Sequence, residues 1–290
     1  MMRLIDYINK AFVGGYWMVG IRDKTNSTQR FEIVKPNKDQ WLADPFIIEN
    51  QGHHYLFVEQ YLCQKNRAGI GVYEIKDGIP VNNELIIDNP FHMSYPCVFQ
   101  YKGVYYMIPE SSSNQSLDVY KASSFPYKWE HVISLIEGRR VVDTTVFLKE
   151  DDIYLLSYEK AGKGWNLITY ILEMDTMSLR IIAETHYRTN VGRPAGKLFQ
   201  KDGALYRPAQ NCSTKYGESL YIYKVTRLDH ECYTEQLVDE IKARDILMDV
   251  RFQRIHTINS DSRYVVVDVF HEQFNLFRWW KIIKRQYFQK

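Results

Sequence analysis

Short runs of aliphatic and aromatic residues, each about the length of one β-strand, alternate along the chain with turn-forming Gly, Asp, Asn and Pro. This pattern predicts β-hairpins throughout. Five strand–turn–strand units align on their turns: ADPFIIENQGHHYLFVE, SYPCVFQYKGVYYMIPE, VDTTVFLKEDDIYLLSYE, GRPAGKLFQKDGALYRPAQ and RIHTINSDSRYVVVDVF. The turns fall at Gly52, Gly103, Asp151, Gly203 and Asp261, at intervals of 51, 48, 52 and 58 residues. Three residues after each turn stands a tyrosine: Tyr55, Tyr106, Tyr154, Tyr206 and Tyr264. Such regularity marks an internal repeat.

The first four units are each followed by two more strand-like segments, such as GIGVYEI and ELIIDN split at Asp77-Gly78. Four short strands per interval of about 50 residues are the signature of a β-propeller blade. The fifth unit lacks its last two strands, and two are to spare at the N-terminus, GYWMVGI and RFEIVKP. We therefore expect an all-β, single five-bladed propeller over 1–272, its last blade completed by the N-terminal strands so that no sheet edge is left open. A pair of β-sandwiches would not explain the common register.

Composition narrows the function classes. Against 37 Lys+Arg stand 35 Asp+Glu, and a net charge of +2 argues against a nucleic-acid partner. Tyr, Phe and Trp number 22, 14 and 6, which suits half-buried strands and sugar-stacking surfaces alike. Cys63, Cys97, Cys212 and Cys232 show no metal-binding spacing, and the first ten residues lack the pattern of a secretory signal. With no long uninterrupted apolar run, the expectation is a cytoplasmic protein with free thiols.

In a propeller the first strand of each blade lines the central channel. Eight residues before the turns lie Asp44, Tyr95, Asp143, Ala195 and Gln253; seven after them lie Glu59, Glu110, Tyr158, Gln210 and Asp268. Asp44 and Asp143 thus share one position on blades one and three. Two carboxylates facing one cavity raise each other's pKa, as acid–base chemistry requires, although each also suits a plain turn-capping role. Glu59 and Glu110 either line the pocket or close salt bridges at strand ends. Blade four adds Arg193, Arg207, Gln210, Tyr216 and Glu218. Arg193 either holds a carboxylate or phosphate or pairs with Asp44 or Asp143 to keep a polar core neutral. His92 and His256 begin the innermost strands of blades two and five, as proton carriers or as structural hydrogen-bonding groups. No His/carboxylate spacing supports a metal site.

The segment 273–290 forms a basic, aromatic tail. As a helix, 274–290 puts Leu276, Trp279, Trp280, Ile282, Ile283 and Tyr287 on one broad face, opposite Arg278, Lys281, Lys284 and Arg285. An amphipathic helix of this kind either lies in a membrane interface or packs on the propeller or a partner.

WLADPF, HMSYPCVFQYKGVYYMIPESSS, Phe125-Pro126 with Trp129, VVDTTVF, GRPAG, YRPAQ, YGES and His256-Thr257 occur in that order. Together they resemble the propeller domain of plant glucosamine inositolphosphorylceramide transferase and of bacterial polysaccharide-biosynthesis proteins, a group similar in turn to glycoside hydrolase family 43. In that hydrolase family a first-blade Asp is the general base, a third-blade Asp orients it and a fourth-blade Glu is the acid. The resemblance gives Asp44 and Asp143 the first two roles, whereas Arg193 stands near the place of the acid. Hydrolysis loses its proton donor by that change unless Glu110 or Glu218 replaces it.

The resemblance therefore implies a glycosyltransferase of surface-polysaccharide or glycolipid assembly, working on an activated sugar and a lipid-linked acceptor. Asp44 is the expected base, Arg193 and Arg207 the phosphate holders, and Tyr95 and Tyr216 the sugar-site walls. No cofactor is required beyond a divalent cation that a nucleotide-sugar donor would bring. The tail would keep the protein at the inner face of the cytoplasmic membrane. A pentose- or furanose-specific glycosidase and a non-catalytic carbohydrate-binding propeller are the alternatives.

Overall fold

The computed structural model describes residues 13–26, 30–249 and 251–274. Strands β1 (Val13–Asp23) and β2 (Glu32–Ile33) come first. Blade one then comprises β3 (Gln40–Asn50), β4 (His53–Leu62), β5 (Arg67–Lys76) and β6 (Ile79–Ile87). Blade two comprises β7 (Ser94–Tyr101), β8 (Val104–Ser111), β9 (Ser116–Ser124) and β10 (Lys128–Glu137). Blade three is built from β11 (Val142–Lys149), β12 (Asp152–Ala161), β13 (Gly164–Glu173) and β14 (Ser178–Tyr187).

In blade four the innermost strand is broken into β15 (Arg193–Pro194) and β16 (Phe199–Lys201), both paired with β17 (Ala204–Asn211). Outside them lie β18 (Ser219–Leu228) and β19 (Tyr233–Ile241). A short helix, α1 (Ala243–Leu247), leads to β20 (Phe252–Ser260) and β21 (Tyr264–Phe274). These two pair with the first strands in the order β2-β1-β21-β20, so the N-terminus closes the ring as the repeat requires.

Alternation along each strand builds the core between blades. Phe46 packs with Phe57 and blade-two residues such as Val98 and Met107, whereas its neighbour Ile47 packs with Leu56, Val19 and Tyr264 on the blade-five side. Both faces of each blade are thus buried. Where β15 gives way to β16, a Cβ on Gly196 would lie 1.9 Å from the carbonyl oxygen of Ile258, so only glycine permits this approach of blades four and five.

Pairing of the innermost strand with its neighbour breaks between Ala43 and Phe46, Ser94 and Cys97, Val142 and Thr145, and Ile255 and Ile258. These are β-bulges, and at Asp44, Tyr95 and Asp143 the backbone is left-handed, with φ of 46°, 46° and 47°. A bulge re-aims the side chain it carries, here at the end of the channel where the innermost strands begin.

The fifth blade departs from the expected count. Its hairpin turns at Ser262-Arg263, with the Asp261 N–H donating to the Tyr264 carbonyl, and fewer residues separate bulge from turn than in blades one to three. His256, not the exposed Gln253, therefore takes the place of Asp44 in this blade. The expected tail helix lies outside the described residues apart from Phe274, which ends β21. No described helix is long and apolar enough to cross a membrane.

Candidate functional site

Blades one and five meet at Asp44. Its Oδ1 accepts a hydrogen bond from the Thr257 hydroxyl at 2.9 Å and its Oδ2 one from the Tyr95 N–H at 3.2 Å. The Asp44 N–H donates to Asp268 Oδ2 at 2.9 Å. Asp268 Oδ1 in turn accepts the N–H groups of His256 and Thr257 at 3.1 and 2.8 Å. Between the two carboxylates stands the His256 ring, its Nδ1 2.5 Å from Asp268 Oδ2 and its Nε2 3.6 Å from Asp44 Oδ1. Trp17 of β1 covers one face of that ring, and the edge of Tyr216 approaches it at 5.2 Å.

Burial sets the electrostatics here. It pushes the Asp44 carboxyl up to about 8; the nearby His256 opposes the shift, while Asp143, Glu59 and Asp268 add to it. For His256 burial acts to lower the pKa, but Asp268 and Asp44 outweigh it and hold the imidazole at about 9. Both groups therefore hold protons near neutral pH, and Asp44, once ionised, is a stronger base than an ordinary carboxylate, as a group that must take up a proton during reaction requires.

Asp143 and Arg193 form the second half of the site. Arg193 Nε donates to Asp143 Oδ2 at 2.5 Å, and its Nη2 donates to Asp143 Oδ1 and to Glu110 Oε2, both at 3.0 Å. Gln210, paired with Arg193 across β15 and β17, donates to Asp143 Oδ2 at 2.6 Å. Burial pushes Asp143 up to about 7 and Arg193 opposes the shift. The other oxygen of Glu110 accepts the Ser112 hydroxyl at 2.6 Å. Tyr216, partly exposed, presents its ring to the Arg193 guanidinium at 5.5 Å. Next to blade two, His92 Nδ1 accepts the Ala68 N–H at 3.1 Å, leaving Nε2 to face Glu59 Oε1 at 3.3 Å.

The mouth thus gathers Asp44, Glu59, His92, Glu110, Asp143, Arg193, Gln210, Tyr216 and His256, one or more from every blade. Three expected residues are placed differently. Arg207 is fully buried: its Nε and Nη2 donate to Glu235 at 2.8 and 2.6 Å and its Nη1 to the Gly192 carbonyl at 3.0 Å. Three residues separate it from Gln210 on β17, so the two point to opposite faces, and Arg207 fills the blade interior instead of holding phosphate. Tyr95 is also fully buried, and its hydroxyl is bonded to Thr145 at 2.7 Å and to the Gly196 N–H at 2.6 Å; it braces the floor of the channel and does not form a sugar-site wall. Glu218 accepts the Thr214 hydroxyl and lines a separate cavity with Lys242 and Arg244.

Sequence reasoning passed over Trp17 and Thr257. Trp17 lies on a strand that joins the site only through ring closure, opposite Phe270; Thr257 was visible only as the neighbour of His256. Nor did spacing show that Asp44, His256 and Asp268 bring ligand-type atoms within 4.8 Å of one another. The two carboxylates approach opposite nitrogens of the imidazole, an arrangement of a charge-paired histidine and not of three ligands aimed at one centre.

Comparison with solved structures confirms the architecture. The catalytic domain of the Coprinopsis cinerea GH62 α-L-arabinofuranosidase superposes with a TM-score of 0.59 at 11% identity, covering 81% of this chain and 94% of that one. A thermostable family-43 glycoside hydrolase gives 0.57 at 14% identity, covering 80% and 88%. At such identities the likeness is one of fold. Among curated proteins, glucosamine inositolphosphorylceramide transferase 1 of Arabidopsis thaliana is 29% identical over 205 residues, and that of Oryza sativa subsp. indica 28% over 206. Each match covers 67% of this chain and 27% of the relative, so the chain spans about a quarter of the length of the relatives it matches. The family model described as glucosamine inositolphosphorylceramide transferase 1, N-terminal, matches residues 28–267, and the chain belongs to that family.

Proposed function

We propose that the protein is a glycosyltransferase of surface-polysaccharide or glycolipid assembly, with Asp44 as general base. The observation that carries this reading is the ion pairing of Arg193 with both Asp143 and Glu110. Two carboxylates at the mouth are thereby held as acceptors, and Glu59 is engaged by His92. Asp44, in its ionised form, is left to receive a proton, while Asp143 and Glu110 turn oxygens to the Arg193 guanidinium, which opposes the transfer of a proton from them to a leaving group. That division suits a leaving group that departs without protonation, such as a nucleoside diphosphate, better than the alkoxide released in glycoside hydrolysis.

In the proposed step an acceptor hydroxyl gives its proton to Asp44 as its oxygen bonds to the anomeric carbon. The bond from that carbon to the phosphate oxygen breaks, and its electron pair leaves with the nucleoside diphosphate beside Arg193. From the relatives, named for transfer to inositolphosphorylceramide, we extend to this chain a lipid-linked acceptor, and with it a place at the inner face of the cytoplasmic membrane.

The test is release of nucleoside diphosphate from a panel of UDP- and GDP-sugars in the presence of a detergent-dispersed lipid extract. We expect release with one donor, reduced roughly 10²–10⁴-fold by Asp44→Asn. Asp44-dependent cleavage of 4-nitrophenyl arabinofuranoside or xyloside, with every nucleotide sugar left intact, would replace the transferase by a glycosidase.

A further inference from the structure

Trp41 and Tyr61, at the rim of the mouth, play no part in the step just described. Opposite each other on β3 and β4, they are stacked with ring centroids 4.5 Å apart and planes 12° apart. Glu59 lies two residues before Tyr61 and so on the same face of the blade. His92 closes this face from blade two, its ring centroid 6.3 Å from that of Tyr61 and its Nε2 next to Glu59. Both aromatic rings and His92 keep part of their surface exposed. On the opposite face the buried Gln60 amide donates to Gln40 at 2.9 Å and to Asn83 at 3.3 Å, which fixes the ends of the two strands. Along β3, Trp41 is three residues from Asp44, roughly 10 Å.

The result is a rigid aromatic ledge, edged by an imidazole and a carboxylate, one or two sugar rings from the proposed base. A saccharide or cyclitol ring has the complementary surface: an apolar C–H face and a rim of hydroxyls that both donate and accept. Its charge separates the ledge from the donor end. Arg193 and Tyr216 stand on blade four, whereas at the ledge His92 faces Glu59, the neighbouring Lys65 and Arg67 pair with Asp88, and a diphosphate placed here would meet the Glu59 carboxylate.

We propose that Trp41, Tyr61, His92 and Glu59 form the acceptor subsite and that the acceptor presents a polyhydroxylated ring, a sugar or cyclitol headgroup, with the hydroxyl to be glycosylated directed at Asp44. This rests on the transferase reading and narrows its acceptor to a ring-bearing molecule.

The test is an NMR titration of the full chain, labelled at its tryptophan indole nitrogens, with methyl glycosides and with myo-inositol, Trp41→Phe assigning the resonance. The expected result is a saturable shift of the Trp41 indole signal by one of these rings, absent in Trp41→Ala, with Tyr61→Phe retaining it. In the transfer assay Trp41→Ala should raise the acceptor KM about tenfold, the worth of one lost stacking contact, while the nucleotide-sugar KM stays within about twofold. A Trp41 signal that no ring moves, with a wild-type acceptor KM in Trp41→Ala, overturns the subsite and leaves the transferase standing. A shifted Trp41 signal in a protein that consumes no nucleotide sugar upholds the ledge as a saccharide site and removes the transferase.

Discussion

Trp17 lies flat on His256, with ring centroids 3.9 Å apart and planes only 14° apart. The strand that closes the propeller therefore also walls its site. With Asp268 at one nitrogen and Asp44 near the other, the imidazole stands between two carboxyl groups and is covered on one face by an indole. A protonated imidazole gains from that face, because the ring quadrupole of Trp attracts a cation.

Closure and site are thus coupled through one side chain. Trp17→Ala should cost roughly 3–5 kcal/mol, as for other buried Trp truncations, while Trp17→Phe, which can still cover His256, should cost clearly less. Urea unfolding midpoints of the two variants measure the difference. Equal losses would show that the contact with His256 adds nothing to ordinary burial.

Protonation of Asp44 and His256 should make the fold more stable in mild acid than in mild base. The Asp44 carboxyl, raised from 3.8 to about 8, binds a proton in the folded state over a range where the unfolded chain has released it. Its contribution therefore falls as pH rises from about 4 to about 8. The stabilisation from His256, raised from 6.5 to about 9, is complete below 6.5 and is lost as pH rises through 9. Both slopes have the same sign. Unfolding midpoints should decline between about pH 5 and 9 in the wild type, and less steeply in Asp44→Asn. A wild-type midpoint that rises over this range would mean that Asp44 is ionised throughout.

Arg207 should behave as a structural residue. It shares no exposed surface, and Glu235, Tyr187, Tyr233 and the Gly192 carbonyl surround its guanidinium. Arg207→Ala leaves Glu235 buried and unpaired and should cost roughly 3–5 kcal/mol. The double variant Arg207→Met, Glu235→Leu removes both charges and should recover a large part of the loss. A double-mutant cycle followed by urea unfolding checks this. If Arg207→Lys weakened nucleotide-sugar binding with no change in stability, the residue would belong to the ligand after all.

The architecture was legible because a propeller repeats its hydrophobic register, and Asp44 and Asp143 could be superposed before any coordinates. Legibility ended where the register slips. Bulges offset the innermost strand of blades one, two, three and five by one residue, in blade four that strand is broken in two, and in blade five an altered turn moves the site position from Gln253 to His256. Arg207 and Gln210 share the motif YRPAQ, but a three-residue separation on a strand sends one into the blade and the other into the channel. Trp17 and His256 are 239 residues apart, and only closure of the ring brings them together.

Arg193 should prove the residue on which the charge balance of the mouth depends. It pairs with Asp143 and Glu110 at once, and 18% of its side chain is exposed. Arg193→Ala leaves Asp143 and Glu110 with their shared cation gone. Removing one partner of a buried pair typically costs 3–5 kcal/mol, and the residual exposure places this case at the lower end, about 3 kcal/mol near neutral pH. The loss should depend on pH. Asp143, already pushed up to about 7 by burial, rises further without the guanidinium that opposes the shift, so its carboxyl protonates readily in mild acid and the uncompensated charge disappears. The difference between wild type and Arg193→Ala should therefore be small near pH 5 and large near pH 8. Arg193→Lys keeps a charge but cannot reproduce the forked contact with Asp143 while also reaching Glu110, and it should fall between the two. Unfolding midpoints of the three proteins at both pH values measure this. A deficit in Arg193→Ala of the same size at both would mean that Arg193 contributes packing and not charge, and would remove the ion pairing on which the proposed leaving-group chemistry rests.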